Sequence, residues 1–137
     1  MKTTALRAFA TATSSASSPT IKWGILSAGK ISSDFAKAIA ITPEAECVGV
    51  AARSATKAAE FAKLHDIPHS YGSYDELLQN NDIDVFYVGS IADQHAQMAK
   101  QCLLAGKATV VEKPLTMSAE ETVELVQLAR NKNLFLV

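Results

Sequence analysis

Cysteine is scarce in this chain and badly placed for chemistry. The 137 residues hold two, Cys47 and Cys102. They lie far apart without C-x-x-C spacing, so neither a disulfide framework nor a zinc site is indicated. Each has apolar neighbours, and core packing is the role expected of both. An excess of one charge is also lacking. Thirteen Lys and Arg against fourteen Asp and Glu leave a net charge of −1, which gives no electrostatic case for nucleic acid or a membrane surface as partner. No apolar run approaches the roughly 18 residues of a membrane-spanning helix. What is present, 48% hydrophobic and 20% charged residues, is ordinary for a soluble globular domain. The length suits a single core and is short for a complete two-domain enzyme.

Acidic residues are missing from positions 1–20, which are mostly Ala, Ser and Thr with Lys2 and Arg7. Such a stretch cannot bury enough apolar surface to fold alone, which predicts a disordered tail. It equally fits the Ser-rich, acid-poor character of a transit peptide, with Arg7-Ala8-Phe9-Ala10 as a loose processing pattern. The expected location is cytoplasmic in the first case and mitochondrial in the second. Without Lys2 and Arg7 the body, 21–137, is mildly acidic.

Within the body, apolar strands and amphipathic helices alternate. Ile21–Leu26 reads as a strand, Ser27-Ala28-Gly29-Lys30 as a tight turn, and Ile31–Ile41 as a helix with Ile31, Phe35, Ala38 and Ile39 on one face. Thr42-Pro43 ends it. Glu46–Ala51 is a second strand, and Ser54 caps a helix whose stripe is Ala58, Phe61, Ala62 and His65. A short strand at His69–Tyr71 precedes a capping box, Ser73 with Glu76, that starts a short helix. Val85–Gly89 is a buried strand. A helix from about Asp93 to Ala105 then ends at Gly106. After Ala108–Val111 a second box, Ser118 with Glu121, opens a helix to about Asn131, and Leu134–Val137 begins a further strand. Such alternation predicts βαβ units in an α/β, Rossmann-type doubly wound parallel sheet with helices on both faces.

In such a sheet ligands bind beyond the carboxyl ends of the strands. A dinucleotide's pyrophosphate needs backbone N–H groups at a helix N-terminus with no side chain in the way. The fingerprint G-x-G-x-x-G falls on Ser27-Ala28-Gly29-Lys30-Ile31-Ser32, where only the central glycine is present and serine stands at both outer positions. An acidic residue is missing at the end of the second strand, where NAD would have its ribose 2′-OH held. Ala51-Ala52-Arg53-Ser54-Ala55-Thr56-Lys57 stands there instead. Arg53 can meet a 2′-phosphate with its planar fork, Ser54 heads a helix whose amides favour an anion, and Lys57 can add a contact one turn on. These features point to NADP as cofactor; the alternative is two solvated basic residues at a helix start. At the end of the fifth strand, Glu112-Lys113-Pro114 places an ionic pair where Pro114 stops further pairing. Glu112 and Lys113 are therefore candidates for chemistry, or else a surface ion pair.

With these residues in place the chain resembles the Gfo/Idh/MocA oxidoreductases, from about Lys22 to Val137. The resemblance is carried by Trp23-Gly24-Ile25, Gly29 to Phe35, Ala51-Ala52-Arg53, His65-Asp66-Ile67-Pro68, Tyr71 to Leu77, Val85 to Gly89, His95, Ala105-Gly106-Lys107 and Glu112-Lys113-Pro114-Leu115. Within the family the NADP-dependent dihydrodiol and D-xylose dehydrogenase branch is the most similar. The resemblance implies that Ser27, Ala28, Gly29, Lys30 and Ile31 cradle the pyrophosphate, and that Arg53, Ser54 and Lys57 hold the 2′-phosphate. It implies that Ser90 and Ile91 line the nicotinamide side with Glu112 beside them, and that His95 on the following helix either contacts the cofactor or packs at the helix start. Lys113 matches the family's catalytic lysine, which assists a tyrosine acid/base expected beyond Val137. It further implies a sugar or cyclic-diol substrate, no metal, and a homodimer when full length. The antiparallel α+β domain of the family is not in this sequence, so the chain reads as a fragment of a two-domain protein and as inactive alone. Two other readings remain: a non-catalytic NADP-binding regulator, and an inactive truncated Rossmann domain.

Overall fold

The computed structural model describes residues 18–137; the rest of the segment read as a tail or transit peptide lies outside the described residues. Strands β1 (Ile21–Leu26), β2 (Ala45–Ala51), β3 (His69–Tyr71), β4 (Val85–Val88) and β5 (Ala108–Val111) form one sheet in the order β3-β2-β1-β4-β5. Every pairing is parallel. Helices α1 (Lys30–Ala40), α2 (Ala55–Leu64), α3 (Tyr74–Leu78), α4 (His95–Leu104) and α5 (Ala119–Asn131) connect them.

The strands are apolar without alternation because both faces are covered. Ile25, Val50 and Tyr87 pack with Ala36 of α1 and Phe61 and Ala62 of α2. Their neighbours Leu26, Ala51, Phe86 and Val88 pack on the other face with Leu77 of α3 and Met98 and Cys102 of α4. This is the three-layer arrangement expected. Leu136 makes a parallel bridge with Thr109, and Val137 N–H donates to Thr109 O at 3.1 Å, so the last residues start a sixth strand beside β5. No helix among the described residues is long and apolar enough to cross a membrane.

Three helices stop by the same device. Gly106 (φ 77), Asp66 (φ 54) and Asn133 (φ 53) turn left-handed just past α4, α2 and α5. Lys107, Ile67 and Leu134 then donate back to Cys102, Ala62 and Ala129 carbonyls at 2.9–3.0 Å, the pairing that satisfies orphaned carbonyls at a helix end. The starts follow expectation less closely. Ser54 caps α2, accepting from Lys57 N at 3.3 Å. Ser118 accepts from Glu121 N at 3.2 Å, but the Glu121 carboxylate reaches Met117 N rather than Ser118 N, so that box closes one residue early. Ser73 occupies the N-cap of α3 without a side-chain bond; there the expected box does not form, on a helix of only five residues. The helix read from Asp93 begins as a 3-10 turn, Ala92–Gln94, and becomes α-helical at His95.

Strand order reverses at β1, with β2 and β3 on one side and β4 and β5 on the other. The loops leaving β1 and β4 therefore run to different layers and open a crevice between them.

Candidate cofactor cleft

The turn after β1 has the backbone that the fingerprint requires. Ser27 takes φ 90, a conformation glycine adopts freely and serine does not. Gly29 is the N-cap of α1, extended and with no side-chain cap, and the first turn of α1 carries no acidic residue. A Cβ at Gly29 would have nothing nearer than Ser27 Oγ at 3.8 Å and Gly89 O at 3.9 Å. A side chain at Gly29 would thus meet only ordinary contacts, and the first-turn N–H groups of α1 have no side-chain cap. An anion fits there.

The third glycine of the fingerprint normally lets helix and strand approach closely. Here the small residue has moved across the contact. Ser32 on α1 is fully buried, and its Oγ has no hydrogen-bond partner among the described residues. It lies against Gly89, the residue after β4, where an added Cβ would collide with Ser32 Oγ and lie 2.7 Å from Tyr87 Cε1. Helix and strand keep their close approach, with glycine supplied by the strand side.

Ser27, Ala28 and Gly29 form one wall of a cleft of about 460 Å³; Arg53, Ser54 and Lys57 form a second, and Ser90 and Ile91 a third. Eight of the residues expected to touch cofactor are thus brought together from the ends of β1, β2 and β4. None of the described residues lining this cleft is acidic. Arg53 and Lys57 are exposed, so both heads are free to meet a ligand. Lys30 and Ile31 sit on the first turn of α1 beside the cleft without lining it. Tyr74, Gln94 and Met98 also line it and were not anticipated. Burial raises the Tyr74 phenol above its ordinary value, and the Arg53 charge opposes that. The only signal in the sequence was an aromatic residue beginning the helix after β3.

The β5 end is organised differently from the ion pair considered above. Glu112 does not pair with the Lys113 ammonium. Its Oε1 accepts from the Tyr87 hydroxyl at 2.6 Å, and its Oε2 accepts from Lys113 N–H at 3.2 Å. The Lys113 side chain is exposed and has no salt bridge among the described residues. His95 is 1% exposed. Its Nδ1 lies 2.6 Å from Pro114 O and its Nε2 3.0 Å from Ser90 O. Both ring nitrogens therefore face protein carbonyls, and His95 ties the loop after β4 to the turn after β5 from inside the protein. His95, Glu112 and Lys113 do not line the cleft. The two thiols lie away from all of this: burial pushes both Cys47 and Cys102 up to about 12, consistent with packing roles.

Among curated proteins the chain is 47% identical over 119 residues to trans-1,2-dihydrobenzene-1,2-diol dehydrogenase of Bos taurus, covering 85% of this chain and 36% of that one. The chain thus spans about a third of the length of that relative. Among solved structures it is similar to a 3-ketoreductase from Actinomadura kijaniata in complex with NADP and TDP-benzene, with TM-score 0.82 and 29% identity over 86% of this chain and 36% of the other. A protein of gentamicin A biosynthesis in complex with NAD shares the fold at TM-score 0.83 and 21% identity, over 88% of this chain and 34% of that one. The family model described as an oxidoreductase family with NAD-binding Rossmann fold matches residues 21–137. With a parallel sheet, an uncapped α1 and a cleft at the strand reversal, this chain belongs to the Gfo/Idh/MocA oxidoreductases.

Proposed function

We propose that the chain is the nucleotide-binding half of an NADP-dependent dehydrogenase acting on a CH–OH group of a sugar or cyclic diol. The observation that supports NADP over NAD is the β2 end of the cleft, where Arg53, Ser54 and Lys57 stand together and no acidic residue lines the wall. A guanidinium and an ammonium hold a 2′-phosphate by charge-assisted hydrogen bonds, and the free hydroxyl proton of Ser54 adds a donor. The N–H groups of α1 hold the pyrophosphate. The name of the Bos taurus relative supports a cyclic diol as substrate, and the sugar reading rests on the resemblance to D-xylose dehydrogenases.

NADP, when bound, supplies hydride exchange at the nicotinamide. The chain's own residues bind and orient. Ser90 and Ile91 bound the cleft on the side away from Arg53, and His95 fixes the Ser90 carbonyl relative to Pro114. Lys113, exposed and without a salt bridge among the described residues, lends positive charge at the strand ends. That charge favours the phenolate of the acid/base tyrosine expected beyond Val137. Homodimerisation, a cytoplasmic location and the second domain belong to the same reading of the full-length protein.

Fluorescence titration of the 137-residue chain with NADPH and NADH tests the cofactor assignment. NADPH should bind tighter by about 10- to 100-fold, the worth of one or two charge-assisted bonds. Arg53→Ala should lower NADPH affinity and leave NADH affinity nearly unchanged. Equal affinities would remove the case for NADP, and no binding of either would remove the cofactor reading itself.

A further inference from the structure

Tyr87 is out of place on sequence grounds. It sits in β4, Val85–Val88, whose other residues are apolar, and it is 2% exposed. Its ring lies flat on Phe35 of α1, with centroids 3.8 Å apart and planes 3° from parallel. Trp23 packs edge-on against the same Phe35 at 5.1 Å. Phenylalanine would fill the volume and stack equally well, so packing does not call for the hydroxyl. A buried hydroxyl costs stability unless it is bonded. Here it has one partner, the Glu112 carboxylate at 2.6 Å.

The consequence falls on Glu112. Its backbone N–H donates to Val88 O at 3.0 Å, which sets it level with Gly89 at the C-terminal end of the sheet. An untethered glutamate at that rim would sample many rotamers; the Tyr87 hydroxyl and the Lys113 N–H fix both carboxylate oxygens. A carboxylate offers about four lone-pair directions, and two remain unused on a side chain that is only half-buried. The result is a preorganised acceptor on the α1 side of the strand ends, beyond Gly89 and next to the exposed Lys113.

We infer that Tyr87 is a positioning residue: through Glu112 it holds an acceptor for a ribose hydroxyl on the nicotinamide half of the dinucleotide. This rests on the cofactor reading above. Tyr87 itself does not exchange protons with substrate. Burial, then the bond to Glu112 and its negative charge, raise the phenol well above its ordinary value, so it remains a donor.

The test compares two ligands on the 137-residue chain. NADPH spans both ends of the cleft, whereas 2′,5′-ADP carries only the adenine end with its 2′-phosphate. Tyr87→Phe keeps the ring stack and removes the bond. It should weaken NADPH by about 3- to 10-fold, the scale of one lost hydrogen bond, and leave 2′,5′-ADP within about twofold. Glu112→Gln should weaken NADPH at least as much, and the double variant should be no worse than Glu112→Gln alone. The inference is overturned if Tyr87→Phe binds NADPH like the unmodified chain. It is equally overturned if both ligands weaken in parallel, or if the two substitutions add. Should the unmodified chain bind neither ligand, the cofactor reading fails and this inference with it. Normal binding of both ligands by the unmodified chain together with an indifferent Tyr87→Phe defeats the inference alone.

Discussion

Replacing Gly89 by alanine should destabilise the domain, and Ser32 should be the reason. The new Cβ would collide with Ser32 Oγ and come within 2.7 Å of Tyr87 Cε1. Overpacking a filled core costs about 1–3 kcal/mol, and two rigid neighbours place this case near the top. Gly89 is not among the residues with positive φ, so alanine also restricts the unfolded chain and returns about 0.4–1 kcal/mol. The net expectation is a loss of about 2 kcal/mol, on the order of 7 °C in Tm. Ser32→Ala acts oppositely. It removes a buried hydroxyl that has no partner among the described residues, a group costing about 1–3 kcal/mol, and gains a few tenths in helix propensity. A gain of about 1 kcal/mol is expected. In the Ser32→Ala background Gly89→Ala should cost only about 1 kcal/mol, because the collision with Oγ is gone and the approach to Tyr87 remains. Urea unfolding of the four proteins gives the cycle directly. Additivity within about 0.5 kcal/mol, or a Gly89→Ala chain as stable as the parent, would refute the claim that the strand-side glycine replaces the helix-side one.

Three further outcomes follow from the same structure. Ser27→Gly should raise stability by about 0.5–1 kcal/mol in urea unfolding, since it relieves a positive φ of 90° that costs an L-residue about 1–2 kcal/mol, less the entropy glycine adds to the unfolded chain. His65 has its imidazole lowered below the ordinary 6.5, first by burial and then by the Lys37 charge, and it bonds Ser33 Oγ at 2.9 Å. A lowered base binds fewer protons folded than unfolded, so its contribution is present above pH 6.5 and fades as pH falls below it. The parent should therefore lose more stability than His65→Gln between pH 8 and pH 5, and parallel profiles would contradict this. Finally, with both thiols raised to about 12, the folded chain should react with a thiol reagent at pH 8 far more slowly than the urea-unfolded chain. Equal rates would disprove the shielding.

Much of this was legible because it is local. Apolar runs without alternation predicted strands covered on both faces, and Gly106 marked the end of α4. The cations at Arg53 and Lys57 could be placed because the cleft lies at strand ends in any such sheet. What the sequence hid is what depends on distant pairs. The fingerprint looked damaged at Ser32 because the compensating glycine, Gly89, lies in another βα unit. Glu112 and Lys113 looked like an ion pair because they are adjacent, whereas the carboxylate's partner comes from the middle of β4. His95 was open to two readings, contact with the cofactor or packing at a helix start; in the fold both of its nitrogens face carbonyls of two loops. The Ser73 box failed because Ser-x-x-Glu describes spacing and not whether a five-residue helix brings the side chain round to its amide.

The strand reversal at β1 also sets the order in which the sheet can assemble. On one side β1 has β2, a short connection away. On the other its neighbour is β4, and Lys22 N–H donates to Asp84 Oδ2 across a separation of 62 residues. During synthesis at about 5–20 residues per second, roughly 3–12 seconds pass between the emergence of these two strands. Within that interval β2 and then β3 emerge and can pair beside β1, while the other edge of β1 stays bare. An unpaired edge of this kind attracts other strands. The seam that opens into the cleft is therefore also the pairing in this sheet whose second strand arrives longest after its first.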